Sequence, residues 1–167
     1  MIRRLLEKDA ENMLQCLLDD VAMQFMKLSE SRQSIEKCRL FIANSFTEKN
    51  QHFAIVNEHD EWVGTISLKN IDHEVGAAEY AIITARDVHG KGIAFSATQE
   101  LLNYAFQKLG LNRIYLNVIQ DNIRANKFYV KCGFEFEGCF RQAIRVGEKI
   151  FDLNWYAILR KDFGCKN

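Results

Sequence analysis

Residues 77–94 read AAEYAIITARDVHGKGIA, and the order of residue types in this stretch decides the fold. Ala77–Ile83 has the length and apolar content of a buried strand. Gly90 and Gly92 then flank Lys91, using two of the nine glycines in the chain. A helical pattern follows, with Ile93, Ala97, Leu101, Tyr104 and Ala105 on one face and Gly110 where a C-cap belongs. In a strand–glycine–helix sequence, successive N–H groups can point at an anion, and the helix dipole adds to the attraction. Glycines in such a loop serve equally well where only a positive φ is needed. Spacing excludes two well-defined phosphate loops. There is no G-x-x-x-x-G-K-[ST], and Phe95 occupies the third position of G-x-G-x-x-G/A.

A second unit of the same kind comes next, LNVIQDNIRANKFYVKCGF at 116–134. A strand ends near Val118, Asn122 stands at a helix start, and Gly133 closes the helix. Tyr129 is seven residues after Asn122, two helical turns, so both point the same way. Strands 77–83 and 113–118 are joined by a helical crossover and should therefore be parallel and right-handed. Their following helix N-termini would flank one cleft. A phosphate loop and a tyrosine along one cleft suggest a nucleotide-derived cofactor with a reactive end.

The rest of the chain supplies the frame. IRRLL is a short strand, and Asp9 is placed to cap a helix running through Leu18. A second helical stretch covers 34–46, with Ile35, Cys38, Phe41 and Ile42 on one face. HFAIV and WVGTISL are strands joined by the polar turn NEHDE. FEFEGCF and KIFDLNWYAILRK close the chain as strands. The fold class is α+β: a mixed, mostly antiparallel sheet of six to seven strands with one splayed parallel pair and helices on both faces. With 167 residues, no proline, no repeat and no linker, residues 1–167 read as a single domain.

Composition narrows the function. Twenty-two basic residues balance 22 acidic ones, which removes the charge argument for nucleic acid or an anionic membrane as main partner. No apolar run is long enough to cross a bilayer, and MIRRLLEKDAENM lacks the apolar core of a signal peptide. Cys16, Cys38, Cys132, Cys139 and Cys165 form no C-x-x-C pair, and neither they nor the four histidines have metal-ligand spacing. These features point to a cytoplasmic protein with reduced thiols and no metal.

The segments AEYAIITARDVHGKGIAFSATQELLNYAF, NRIYLNVIQDNIRANKFYVKCGFEFEG and IFDLNWYAIL together resemble the GNAT superfamily of acetyl-CoA-dependent N-acetyltransferases. Within it, the chain looks most like the ribosomal-protein N-terminal acetyltransferases and their spermidine acetyltransferase relatives. The likeness covers roughly residues 62–160. The family's pyrophosphate signature, Q/R-x-x-G-x-G/A, matches at Gly90 and Gly92, but its first position is Asp87, with Arg86 out of step by one. The resemblance implies acetyl-CoA as cosubstrate. Its pantetheine arm would pair with the backbone of Ile82, Ile83 and Thr84, and its pyrophosphate would lie on the amides of His89, Gly90, Lys91, Gly92, Ile93 and Ala94. Asn122, Asn126 and Lys131 would add contacts from the following helix.

The resemblance also assigns chemistry. Acetyl transfer needs a neutral amine, a polarised thioester and a proton for the departing thiolate. Tyr129, in N-x-x-A-x-x-F-Y, matches the family's general acid; the plain alternative is a core tyrosine with a satisfied hydroxyl. Glu79, on the strand face opposite Tyr80 and Ile82, matches the family's base or amine anchor; the alternative is a salt-bridged carboxylate. Asn122 is otherwise a plain N-cap, and Asn117 either lines the cleft or is a satisfied buried amide. No cysteine stands beside a histidine and an acid, so direct transfer in a ternary complex is expected. The acceptor is then a primary amine on a protein N-terminus or a small molecule, the latter a polyamine, nucleotide-linked amino sugar or aminoglycoside. Glu7, Asp9, Glu11, Asp19, Asp20, Glu30 and Glu36 hint at a cationic acceptor or simply solvate helices. A non-catalytic acyl-CoA-binding regulator is the rival of another class, and an intact Tyr129 argues against it. The apolar strand FDLNWYAIL points to a homodimer.

Overall fold

A computed structural model describes residues 1–19 and 34–164 of the chain. Its sheet has seven strands: β1 (Ile2–Arg4), β2 (Gln51–Val56), β3 (Trp62–Asp72), β4 (Ala77–Thr84), β5 (Arg113–Ile119), β6 (Glu135–Val146) and β7 (Lys149–Leu159). The spatial order is β1-β2-β3-β4-β5-β7-β6. Every neighbouring pair is antiparallel except β4–β5. Among the described residues the α-helices are α1 (Ala10–Leu17), α2 (Ile35–Ala43), α3 (Ile93–Asn103) and α4 (Ile123–Lys131). A π turn, Tyr104–Lys108, prolongs α3 to the left-handed Gly110.

Two apolar clusters hold helices to opposite faces. Ala97, Leu101 and Leu102 of α3, Ala105 of the π turn and Tyr129 of α4 pack on Phe53, Ile66, Leu68, Ala78, Tyr80, Ile114 and Leu116. Each fully buried large apolar side chain in this layer contributes roughly 1.5–3 kcal/mol relative to exposure. On the other face, Ala10, Met13 and Cys16 of α1 and Cys38 of α2 pack on Ala54, Val56 and Trp62. Strand alternation divides β4 between the faces: Ala78 and Tyr80 join the first cluster, while Glu79 and Ile83 look toward the second.

Two details differ from the sequence reading. Asp9 does not cap α1 with its side chain. Its carboxylate instead accepts the Leu6 amide at 2.8 Å and both terminal nitrogens of Arg3 at 2.8 and 2.9 Å, so it ties β1 to the turn before the helix. The segment around FDLNWYAIL is not a free surface. As β7 it lies between β5 and β6, with Leu153, Tyr156, Ala157 and Ile158 buried. On β6, an edge strand, the aromatics Phe136 and Phe140 are exposed. Cys165, Asp20 and Glu30 lie outside the described residues.

Candidate active site

The parallel pair β4–β5 is short. Pairing runs through Ala77–Arg113, Ala78–Ile114 and Glu79–Tyr115 and then stops. Yet β4 continues to Thr84, still paired to β3, and β5 continues to Ile119, still paired to β7. The two strands therefore diverge as a V, and the edge of Tyr80–Thr84 facing the gap carries peptide groups without a strand partner. Such groups need partners, and an extended amide-bearing chain laid in the V would supply them. Gly64 lets β3 approach the end of β4 closely. A Cβ at that position would come within 2.6 Å of the Ile83 carbonyl oxygen. The sequence reading missed Gly64; its place in an otherwise branched strand, WVGTISL, was the available signal.

The glycine loop lies just past the open end of the V. Gly90 and Gly92 both have φ of +80°, and neither has a neighbour within 4 Å of an added Cβ. Backbone conformation, not crowding, demands glycine here. Gly92 is the N-cap of α3, and the first helical bond comes from Ser96 to the Gly92 carbonyl. The amides of Ile93, Ala94 and Phe95 are thus left for an anion. Lys131 brings its ammonium 5.5 Å from the Phe95 ring, near this first turn. Lys91 is exposed on the loop itself.

Tyr129 packs beside the V on the α3–α4 face. Its ring meets Tyr80 edge to face at 6.0 Å and also touches Phe128, Phe134 and Tyr156. The neighbouring hydroxyls are occupied: Tyr80 Oη is 2.7 Å from Thr98 Oγ1, and Tyr156 Oη donates to Asn126 Oδ1 at 2.9 Å. The Tyr129 hydroxyl has no hydrogen-bond partner among the described residues. It is not sealed either, because Trp155 Nε1 is the one fully enclosed, unpartnered polar side-chain atom among them. Burial raises the Tyr129 phenol above its usual range, so it stays protonated. Cys132, which interacts with Tyr129, is pushed up to about 12 by burial.

Asn122 caps α4 by accepting the Ala125 amide at 3.2 Å. Asn126 is committed within the protein: its amide nitrogen reaches the carbonyls of Ile119, Gln120 and Asn122, and its oxygen accepts from Asn154 and Tyr156. It braces α4 against β5 and β7. Glu79 lies on the opposite face from Tyr129, bonded to Lys69 Nζ at 2.7 Å and to Asn70 Nδ2 at 2.9 Å. Its register partner on β5, at the last paired rung, is Tyr115, which stacks on Trp155. Asn117 lies opposite Trp155 in the β5–β7 ladder, half-buried. On this same side, a cavity of about 420 Å³ opens between α1, the turn before β3 and the loop after β4. Asp19, Glu61, Trp62 and Asp87 help line it.

Comparison with known proteins agrees with this geometry. The family model described as the acetyltransferase (GNAT) domain matches residues 1–135. A putative ribosomal N-acetyltransferase, YdaF, of Bacillus subtilis is 27% identical over 97% of this chain and 92% of its own. A spermidine N(1)-acetyltransferase of Vibrio cholerae is 29% identical over 68% of this chain and 65% of its own. The crystal structure of spermidine N-acetyltransferase from Vibrio cholerae in complex with CoA and spermine superposes with a TM-score of 0.87, covering 98% of this chain and 96% of that one at 24% identity, a likeness of fold. The chain belongs to the GNAT family of N-acetyltransferases.

Proposed function

We propose that the protein transfers acetyl directly from acetyl-CoA to a primary amine held on the α1–α2 side of the sheet. The observation that carries this reading is the V between β4 and β5, with unpaired backbone along one arm and Tyr129, whose hydroxyl has no described partner, packed on Tyr80 beside it. Acetyl-CoA is a substrate here, consumed at each turnover. The free edge of Ile82–Thr84 suits its pantetheine amides, and the loop His89–Ala94 suits its pyrophosphate. Asn122 and Asn126 set the position of α4, and Lys131 adds positive charge near the first turn of α3.

Tyr129 is the general acid in this reading. Its phenol lies above its usual range, and the burial responsible would also make a thiolate released in the same cleft more basic, so donor and acceptor remain matched. Glu79, on the other face, receives the amine proton directly or through water, while Lys69 and Asn70 hold its carboxylate in place. A covalent acetyl-enzyme is disfavoured, because a thiol at about 12, as at Cys132, supplies almost no thiolate.

For the acceptor, the carboxylates around the 420 Å³ cavity favour a cationic amine, either a polyamine or a peptide N-terminus. The names of the relatives allow both. We also place the enzyme in the cytoplasm as a homodimer joined through the exposed edge of β6, where Phe136 and Phe140 stand free. A thiol-release assay with acetyl-CoA against peptides, polyamines, amino sugars and aminoglycosides tests the reading. Saturable release with one amine class is expected. Binding of acetyl-CoA without turnover on any of them would favour an acyl-CoA-binding regulator instead. Light scattering at micromolar concentration should give twice the monomer mass, and the monomer mass would remove the dimer.

A further inference from the structure

The open end of the V is bridged by side chains. His89, in the glycine loop, lies with Nε2 3.1 Å from Thr84 Oγ1, the last residue of β4. Its other nitrogen, Nδ1, is 2.7 Å from Arg124 Nη1, in the first turn of α4. A guanidinium can only donate, so Nδ1 accepts and Nε2 carries the ring proton to Thr84. The imidazole is therefore neutral while this contact exists. Among the described residues it is the one hydrogen bond between the β4–α3 loop and α4. With Thr84 it links the end of β4 to the first turn of α4, next to the loop that leads into the free amides of α3.

We propose that Arg124 is a phosphate-binding residue of the cofactor site, held in reserve by the His89 side chain, and that it passes to a pyrophosphate oxygen when acetyl-CoA enters while His89 takes up a proton. The proposal rests on the acetyl-CoA reading above. Its chemistry follows from the donors. Arg124 is exposed and has five N–H groups in a planar fork suited to phosphate. Once Nδ1 is released, the imidazole no longer needs to accept a hydrogen bond from a cation, and a dianionic pyrophosphate beside it favours its charged form.

The groups facing His89 agree in sign. Burial lowers its pKa first and Arg124 second; Arg86 lowers it further, whereas Thr84 and Asp87 oppose the shift. Removing Arg124 from Nδ1 and adding phosphate charge both act to raise it. The folded, ligand-free protein thus binds fewer protons at His89 than the complex does. By linkage, affinity for the pyrophosphate rises as pH falls through the window between the depressed free value and the higher bound one.

Dephospho-CoA is the probe, because it carries the pyrophosphate but lacks the 3′-phosphate that itself titrates near neutrality. Calorimetry in buffers of different ionisation enthalpy, from pH 8 to pH 6, counts the protons taken up. Wild type should bind with net uptake and gain about three- to tenfold in affinity per pH unit at the steepest point. His89→Gln preserves hydrogen bonding to Thr84 and Arg124 but cannot titrate; it should bind with no uptake and a flat pH profile. Arg124→Gln should bind dephospho-CoA at least about tenfold more weakly, as expected from loss of a charged contact. Its His89 ring should also titrate at higher pH in ligand-free NMR spectra, with the amide spectrum otherwise preserved. Tight binding of dephospho-CoA with no proton uptake, or with the same uptake in His89→Gln, would overturn the clasp and leave the acetyl-CoA reading standing. No binding of either CoA or dephospho-CoA to the wild type would overturn both.

Discussion

Tyr80 and Tyr129 meet edge to face, with ring centroids 6.0 Å apart and planes at 86°, across the gap where β4 leaves β5. Both rings are buried, but their hydroxyls have different fates. Thr98 holds that of Tyr80, itself bonded to the Ala94 carbonyl, and that of Tyr129 is left for the cleft. Replacing Tyr129 with Phe keeps the ring contacts and removes only the proton. Turnover should fall about 10²–10⁴-fold while acetyl-CoA affinity changes little. Because burial raises the phenol, the loss should be uniform from pH 7 to pH 9, with no basic limb assignable to Tyr129 in that range. A Phe variant with near-wild-type turnover, where chemistry limits the rate, would reduce Tyr129 to a packing residue.

Gly92 and Gly64 support cofactor binding in different ways. At Gly92 there is room for a side chain but a φ of +80°. Gly92→Val should leave the protein folded, with a small loss of melting temperature, and weaken acetyl-CoA binding by about tenfold or more as the loop relaxes toward negative φ. At Gly64 the obstacle is the Ile83 carbonyl, so Gly64→Ala should displace the end of β4 and cost both stability and affinity. Calorimetry and thermal melts on the two variants separate the effects. Unchanged affinity in Gly92→Val would remove the phosphate role of the loop.

Glu79 has both a chemical and a structural reading, and substitution divides them. Glu79→Gln keeps a partner for Asn70 but leaves Lys69 without its carboxylate. If Glu79 receives the amine proton, kcat should drop about 10²-fold or more, with acetyl-CoA affinity preserved. If its role is only to pair with Lys69, then Lys69→Met combined with Glu79→Gln should restore activity. Steady-state kinetics of the single and double variants decide between these outcomes.

His52 tests the opposite face through stability. It lies beside Ser67 at 2.7 Å and against the Phe41 ring. Burial, with a smaller push from Lys69, lowers its pKa to about 4. The unfolded chain titrates near 6.5, so it binds the extra proton first. Stability from this residue is complete above about 6.5 and is lost as pH falls toward 4. After allowance for partial exposure the loss is of order 1–2 kcal/mol. His52→Gln should flatten chemical denaturation midpoints across that range. A slope unchanged in the variant would assign the acid sensitivity elsewhere.

Asp9 is almost wholly buried and carries Arg3 and the Leu6 amide. Asp9→Ala leaves Arg3 paired to Asp60 alone and strips the Leu6 amide of its acceptor; it should destabilise the fold by about 1–3 kcal/mol, as read from urea denaturation. A loss under about 0.5 kcal/mol would show the pair to be a surface contact in energetic terms.

The residue pattern was legible wherever a local rule governs it. The alternation and apolar runs of β2 to β5, the α3 stripe from Ile93 to Ala105, the N-cap Asn122, and the left-handed glycines each follow from neighbours a few residues away. The order strand–loop–helix, met at Gly90–Gly92 and again at Asn122, was enough to make β4 and β5 parallel. Asp9 shows where such rules stop. An N-cap pattern names the residue, but Arg3 and the Leu6 amide compete for the same carboxylate, and the tertiary pair prevailed.

What the sequence determined by itself is the set of elements and the parallel pairing of β4 with β5, because propensity, periodicity and turn conformation are short-range properties. What only the tertiary structure decided is how those pieces share partners. β7 was inserted between β5 and β6, which buried an apolar strand that sequence alone left exposed. Asn126 became a brace, Glu79 was paired with Lys69, and His89 was laid against Arg124, 35 residues away. Hydrogen-bond and charge partners are chosen by distance in space, and distances between remote segments are set by the packing of the whole sheet and its helices.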